Sequence, residues 1–252
     1  MKKLLEYSVI YTNRSSNLMS QLYKKSFKNL NSNLCNIYNA EKSTIIPGSG
    51  STAMEAVARQ FGVNKKCMII QNGYFSYRWH QLFNHGTPHN ITNNVLLNKA
   101  KININKDKLI TVSPPSLSKM CDNILKEKPD LICFPHVETS TGIMLDDEYI
   151  KEIGNTARKV GSIVCLDGIA SGTMWIDMKK LNVDLYITAP QKGWSSPASC
   201  GVIMFGDRIQ VTGFVPFMLN KPKYTHTFRI GLFGLDKLKD PRKTIEDFGK
   251  IL

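Results

Sequence analysis

Ser162-Ile163-Val164-Cys165-Leu166-Asp167 is the stretch that decides the fold: an apolar run that stops on a carboxylate. A strand apolar at consecutive positions has no solvent face, so it predicts burial on both sides, as in a parallel sheet covered by helices. Cys67-Met68-Ile69-Ile70 and Leu131-Ile132-Cys133-Phe134 have the same character. Between these runs lie helix-like segments around Tyr77 to Phe83, Leu117 to Glu127 and Asp147 to Val160. Two further strands are predicted at Leu185-Tyr186-Ile187-Thr188 and Gly201-Val202-Ile203-Met204-Phe205. Towards the N-terminus, Leu18, Met19, Leu22, Tyr23, Phe27 and Leu30 fall at helical spacing and predict an amphipathic helix from Ser16 to Leu30. Thr44-Ile45-Ile46 runs into Pro47-Gly48-Ser49-Gly50-Ser51-Thr52, after which Ala53, Met54, Ala56, Val57 and Phe61 resume a helical pattern. The alternation predicts an α/β chain of three layers, a mostly parallel sheet with helices on either face.

The composition agrees. With 252 residues, 42% hydrophobic and 21% charged, the chain is long enough for one large core, and disorder, collagen and a disulfide-stapled mini-protein are excluded. The net charge of +13 would suit an anionic partner, but the lysines are scattered (Lys42, Lys65, Lys66, Lys99, Lys101, Lys106, Lys108), with no arginine cluster or interleaved aromatics. Nucleic acid is therefore not expected as the main partner. The six cysteines, 35, 67, 121, 133, 165 and 200, include no C-x-x-C pair and read as buried thiols of a reducing compartment, with no metal expected. Met1-Lys2-Lys3-Leu4-Leu5 opens like a signal peptide, but Glu6 and Asn13-Arg14 interrupt it. No stretch reaches the roughly 18 apolar residues of a membrane span, so a cytoplasmic protein without membrane attachment is expected.

Ligands of such sheets bind at the carboxyl ends of the strands, so the residues just after each strand carry the functional reading. They are Asn72-Gly73, His136-Val137-Glu138-Thr139-Ser140-Thr141-Gly142, Asp167 and Gln191-Lys192. Ser49-Gly50-Ser51-Thr52 before a helix offers backbone N–H groups and hydroxyls at the positive end of a helix, an anion site suited to phosphate; it equally reads as an N-cap with a tight turn. Asp167 at a strand end beside the core needs a cationic partner, unless it serves as a turn or helix-cap residue. Lys192 lies in the Gly- and Pro-punctuated loop Thr188-Ala189-Pro190-Gln191-Lys192-Gly193-Trp194. It is either a solvated loop residue or, if desolvated, an amine able to condense with a carbonyl.

In order and spacing these strings resemble the class V aminotransferases of fold type I, pyridoxal-phosphate enzymes of the alanine-glyoxylate and serine-pyruvate aminotransferase kind. The resemblance runs from about Asn13 to Thr227 and resumes at Phe228-Arg229-Ile230-Gly231. It implies that Lys192 is the Schiff-base lysine and that Asp167 pairs with the protonated pyridine nitrogen. It implies a phosphate-binding turn at Ser49, Gly50 and Ser51 with Gln191 nearby, ring stacking by Phe75, and a hydroxyl contact from Thr139 near the cofactor's 3'-oxygen. Phe75 would otherwise be a core residue, and Glu138 to Gly142 a plain loop and cap. Arg229 matches the clamp on the substrate's α-carboxylate. Tyr224 and Thr227 match residues that reach the neighbouring subunit's phosphate, which implies a homodimer with shared sites.

The chain departs from the family where Thr227 is followed directly by Phe228-Arg229, a point at which the family carries most of a small C-terminal domain. The expected organisation is a large cofactor-binding domain over 1–227 and a remnant of the small, truncated domain over 228–252. The expected activity is transfer of an amino group from a small amino acid, such as alanine or serine, to a 2-oxo acid such as glyoxylate or pyruvate. Two alternatives stand beside it: a carbon-sulfur lyase of the cysteine-desulfurase kind, for which Cys200 is the cysteine nearest Lys192 in sequence, and a shortened, catalytically weak cofactor-binding relative.

Overall fold

Seven strands form one sheet in the order β1-β11-β10-β9-β6-β2-β3. The structure is a computed structural model that describes residues 21–85, 90–104, 106 and 110–209. In chain order the first elements are α1 (Gln21–Tyr38), β1 (Lys42–Pro47), α2 (Gly50–Phe61), β2 (Cys67–Gln71), α3 (Tyr74–Asn84) and β3 (Val95–Lys99). They are followed by β4 (Lys101–Ile104), β5 (Ile110–Ser113), α4 (Leu117–Glu127), β6 (Leu131–Pro135), β7 (Val137–Glu138) and β8 (Ile143–Met144). The last are α5 (Asp147–Val160), β9 (Ile163–Asp167), α6 (Met178–Leu181), β10 (Leu185–Thr188) and β11 (Cys200–Phe205). Strands β3, β2, β6, β9 and β10 pair in parallel, and β11 is antiparallel to both its neighbours, β10 and β1. The mostly parallel three-layer α/β arrangement matches the sequence reading.

Alternation along each strand divides the apolar runs between two cores. Met68, Ile70, Ile132, Phe134, Val164 and Leu166 face the layer built from α1, α4 and α5, where they meet Leu34, Tyr38, Met120, Ile124, Ile150 and Ile153. Cys67, Ile69, Leu131, Cys133 and Cys165 face α2 and α3, against Ala53, Met54, Val57, Trp79 and Phe83. Full burial of each such side chain contributes about 1.5–3 kcal/mol, and a slip of one residue would exchange the two sets, so the register is fixed from both sides.

The structure departs from the sequence reading in four places. Helix α1 continues past Leu30 to Tyr38, because Leu34 and Tyr38 extend the apolar stripe at a spacing of four and are buried. Strand β3 closes the sheet edge with half-buried residues, and β4 pairs with β5 in a separate exposed hairpin. Only Cys67, Cys133 and Cys165 are buried; Cys35, Cys121 and Cys200 are half-buried, and all six are free thiols. Asp167 is the last residue of β9 itself, paired in register with Pro135 and Ile187. The boundary at residue 227, together with Tyr224, Thr227 and Arg229, lies outside the described residues. Among the described residues no helix is long and apolar enough to cross a membrane.

Candidate active site

Because β2, β6, β9 and β10 run parallel, their carboxyl ends share one edge of the sheet, where a cavity of about 180 Å³ opens. Ser49, Gly50 and Ser51 reach it from the start of α2, and Phe75 and Arg78 from the first turns of α3. Pro135 at the end of β6 lines it with Val137 and Thr139 beyond, Asp167 at the end of β9 with Ile169 and Ala170 beyond, and Gln191 and Lys192 after β10. Eight of the eleven residues singled out in the sequence thus line a single cavity; the other three are Tyr224, Thr227 and Arg229.

Asp167 is 7% exposed, and its Oδ1 accepts a hydrogen bond from the Ile169 amide at 3.0 Å. Burial pushes its carboxyl up to about 6; Glu138 adds to the rise, while the Ile169 amide, the Trp79 indole and the Arg78 guanidinium oppose it. The Trp79 Nε1–H is nonetheless without a partner at hydrogen-bond geometry. The cationic partner that the sequence calls for is not among the described residues at ion-pair distance. The site therefore holds an acid whose charged form is poorly compensated, a setting that favours a cation brought by a ligand.

The opposite wall is built for an anion. Helix α2 starts at Gly50, its entry turn closed by the Ser49 N–H donating to Thr52 Oγ1 at 3.1 Å. The Gly50 and Ser51 amides stand in the first turn, where an α-helix offers no backbone acceptor. Arg78 Nη1 donates to Ser51 Oγ at 2.7 Å. A Cβ on Gly50 would stand 2.6 Å from Ile169 Cδ1 and 3.2 Å from Ala189 Cβ, so a larger residue at this helix end would push the Ile169 side chain aside. Gln191 Oε1 is buried on the same cavity without a hydrogen-bond partner.

Phe75 is 44% exposed, so it is not a core residue. Its backbone is held by Glu138, a fully buried carboxylate that accepts from the Phe75 amide at 3.1 Å, the Ser76 amide at 2.8 Å, the Ser76 hydroxyl at 2.7 Å and the Ser140 hydroxyl at 2.6 Å. Burial pushes the Glu138 carboxyl up, but the hydrogen bonds from Ser140, Ser76 and Phe75 outweigh it and hold the group below the usual carboxylate range. Ser140 also accepts from the Tyr74 amide at 2.8 Å. The Glu138 to Gly142 string is thus a clamp on the start of α3 rather than a plain loop. Lys192 is exposed; its carbonyl accepts from the Ser195 amide at 3.3 Å, and its Nζ makes no hydrogen bond or ion pair among the described residues.

Sequence reasoning passed over Arg78 and named Glu138 only within a post-strand string, without a role of its own. Arg78 follows Phe75 by three positions, a spacing that puts both on one side of a helix, and that was the available signal. A carboxylate buried by its own hydrogen bonds leaves no such pattern, so Glu138 had none.

A model of the aminotransferase class-V family matches residues 1–218. An O-phospho-L-seryl-tRNA:Cys-tRNA synthase of Methanococcus maripaludis strain C6 is 30% identical over 120 residues, 44% of this chain and 31% of that protein. Among solved structures, ureidoglycine-glyoxylate aminotransferase of Bacillus subtilis superposes with a TM-score of 0.66 at 20% identity, over 77% of this chain and 46% of that one. Alanine-glyoxylate aminotransferase of Nostoc sp. superposes with a TM-score of 0.64 at 20% identity, over 78% of this chain and 49% of that one. The match thus spans about a third of the curated relative and about half of each solved one. On the family match over most of its length, the chain belongs to the class V aminotransferases, whose cofactor is pyridoxal phosphate.

Proposed function

We propose that Lys192 and Asp167 are the reacting centre of a pyridoxal-phosphate-dependent aminotransferase that moves the amino group of a small amino acid, such as alanine or serine, to a 2-oxo acid such as glyoxylate or pyruvate. The observation that carries this reading is one cavity lined by an amine, Lys192, a buried acid, Asp167, and a helix N-terminus, that of α2. The cavity's features suit the cofactor: a poorly compensated acid, an unpartnered Gln191 Oε1, an exposed Phe75 ring and first-turn amides for which the helix offers no acceptor. Bound there, pyridoxal phosphate supplies an aldehyde carbon for an amine and a protonated ring that draws electrons from the substrate's Cα.

Asp167 would pair with the protonated ring nitrogen, and its own burial would make that pairing favourable because a cation relieves its desolvation. Phe75 and Thr139 would hold the ring, and Ser49, Gly50, Ser51 and Gln191 would hold the phosphate. With the cofactor bound, Lys192 Nζ would be the amine that anchors it and, once free, the base that would move the substrate's Cα proton to the carbon that receives the amino group. In the same reading Arg229 clamps the substrate carboxylate, and Tyr224 and Thr227 complete a neighbouring subunit's phosphate site in a homodimer.

The test is a half-reaction. Protein loaded with pyridoxal phosphate and mixed with alanine, without acceptor, should yield one pyruvate per site; added glyoxylate should then yield glycine. No pyruvate from a loaded, folded protein would reject aminotransfer. Similarity to the O-phospho-L-seryl-tRNA:Cys-tRNA synthase, whose product carries cysteine, keeps open a second reading, the carbon-sulfur lyase alternative. No cysteine lines the cavity among the described residues, and Cys200 begins β11 paired with Pro47, which supports aminotransfer over it. Sulfide released from cysteine without stoichiometric pyruvate from alanine would reverse that preference.

A further inference from the structure

We propose that Arg78, which no motif assigns, grips the phosphate at the start of α2 and sets the site's preference for a phosphorylated ligand over its dephosphorylated form. The proposal rests on the cofactor reading of the cavity in one arm of its test and is independent of it in the other.

Arg78 lines the cavity together with Gly50, Ser51 and Gln191, and its Nη1 donates to Ser51 Oγ at 2.7 Å. That bond occupies an acceptor site of the hydroxyl, so the Ser51 proton is free to be donated to an anion, as are the remaining N–H groups of the guanidinium. A helix end offers about half a positive charge. A phosphate monoester carries about 1.5 to 2 negative charges, which the helix end alone leaves largely unbalanced. Arg78 supplies the missing unit. Among the described residues it has no carboxylate at ion-pair distance, whereas Arg59, on the outer groove that Arg78 and Ser51 also line, is committed to Glu55 at 2.8 Å. The guanidinium is also planar and forked, the shape that meets two phosphate oxygens at once.

Equilibrium binding of pyridoxal phosphate and of pyridoxal to wild type, Arg78→Gln and Arg78→Lys reads the preference directly. Loss of a charged hydrogen bond predicts that Arg78→Gln weakens pyridoxal phosphate about 10- to 100-fold and pyridoxal by less than about threefold, with Arg78→Lys between. Equal losses for both ligands, or no loss for either, overturn the proposal. The second arm uses inorganic phosphate alone: it should raise the melting temperature of wild type and not of Arg78→Gln, the two proteins melting alike without it. A phosphate-dependent rise in wild type that persists in Arg78→Gln also overturns the proposal. If wild type shows the phosphate effect through Arg78 but never binds pyridoxal phosphate, the cofactor reading fails and the role of Arg78 stands.

Discussion

Gly193, the residue after Lys192, lies so close to Gly172 in the loop that follows Asp167 that a Cβ on Gly193 would stand 2.2 Å from the Gly172 Cα. The two loops carrying the amine and the acid are joined backbone to backbone, with no side chain between them. Gly172 has φ +62°, a left-handed conformation, so the contact is built from glycine on both sides.

Gly193→Ala should therefore separate the two loops. Overpacking of this kind costs about 1–3 kcal/mol, and here it acts on the site. Titration with pyridoxal phosphate should show affinity reduced about 10-fold or more, with a circular dichroism spectrum like that of wild type. Unchanged affinity would mean that the contact does not position Lys192.

Asp167 gives a pH dependence. Its carboxyl rises from 3.8 to about 6 on folding, so between those values the native state binds more protons than the unfolded chain, and stability of the ligand-free protein falls as pH rises through that window. The stabilisation is full below about pH 4 and lost above about pH 6, worth up to about 3 kcal/mol. Asp167→Asn should abolish this dependence and, at pH 7, melt higher than wild type while binding the cofactor more weakly. Urea unfolding of both proteins across pH 4 to about 8 checks the sign.

Glu138 predicts the opposite slope. Its carboxyl is held below the usual range, so its contribution is present above that range and lost as pH falls through it. Because five donors converge on this buried group, Glu138→Ala should cost about 3–5 kcal/mol and displace Phe75. A loss under about 1 kcal/mol by chemical denaturation would remove Glu138 from the account.

Phe75 and Phe83 separate site from core on one helix. Phe83 is fully buried, and Phe83→Ala should cost about 3–5 kcal/mol. Phe75 is 44% exposed, and Phe75→Ala should change stability by less than about 1 kcal/mol while weakening pyridoxal phosphate by about 10-fold. Equal destabilisation by the two substitutions would return Phe75 to the core.

The central strands were legible because a residue buried on both faces must be apolar at every position, as Ile163 to Leu166 are. Asp167, Gln191 and Lys192 were legible because polar residues at the ends of such strands stand out against the run before them. Strand β3 was not, since Val95-Leu96-Leu97 ends in Asn98-Lys99 at a sheet edge that only one neighbour covers. Arg78 was missed because an arginine on an amphipathic helix reads as solvated surface. Its role depends on Ser51 and the start of α2, contacts that only the fold creates.

The central claim is that Lys192 alone among the chain's many lysines meets the cofactor in a site shared with Asp167. Reductive trapping of pyridoxal phosphate with borohydride, followed by peptide mass mapping at one equivalent of cofactor, tests it most directly. The account predicts a single modified lysine, Lys192, with the label lost in Lys192→Ala and markedly reduced in Asp167→Asn. Label spread over other lysines, or unchanged by Lys192→Ala, would contradict it.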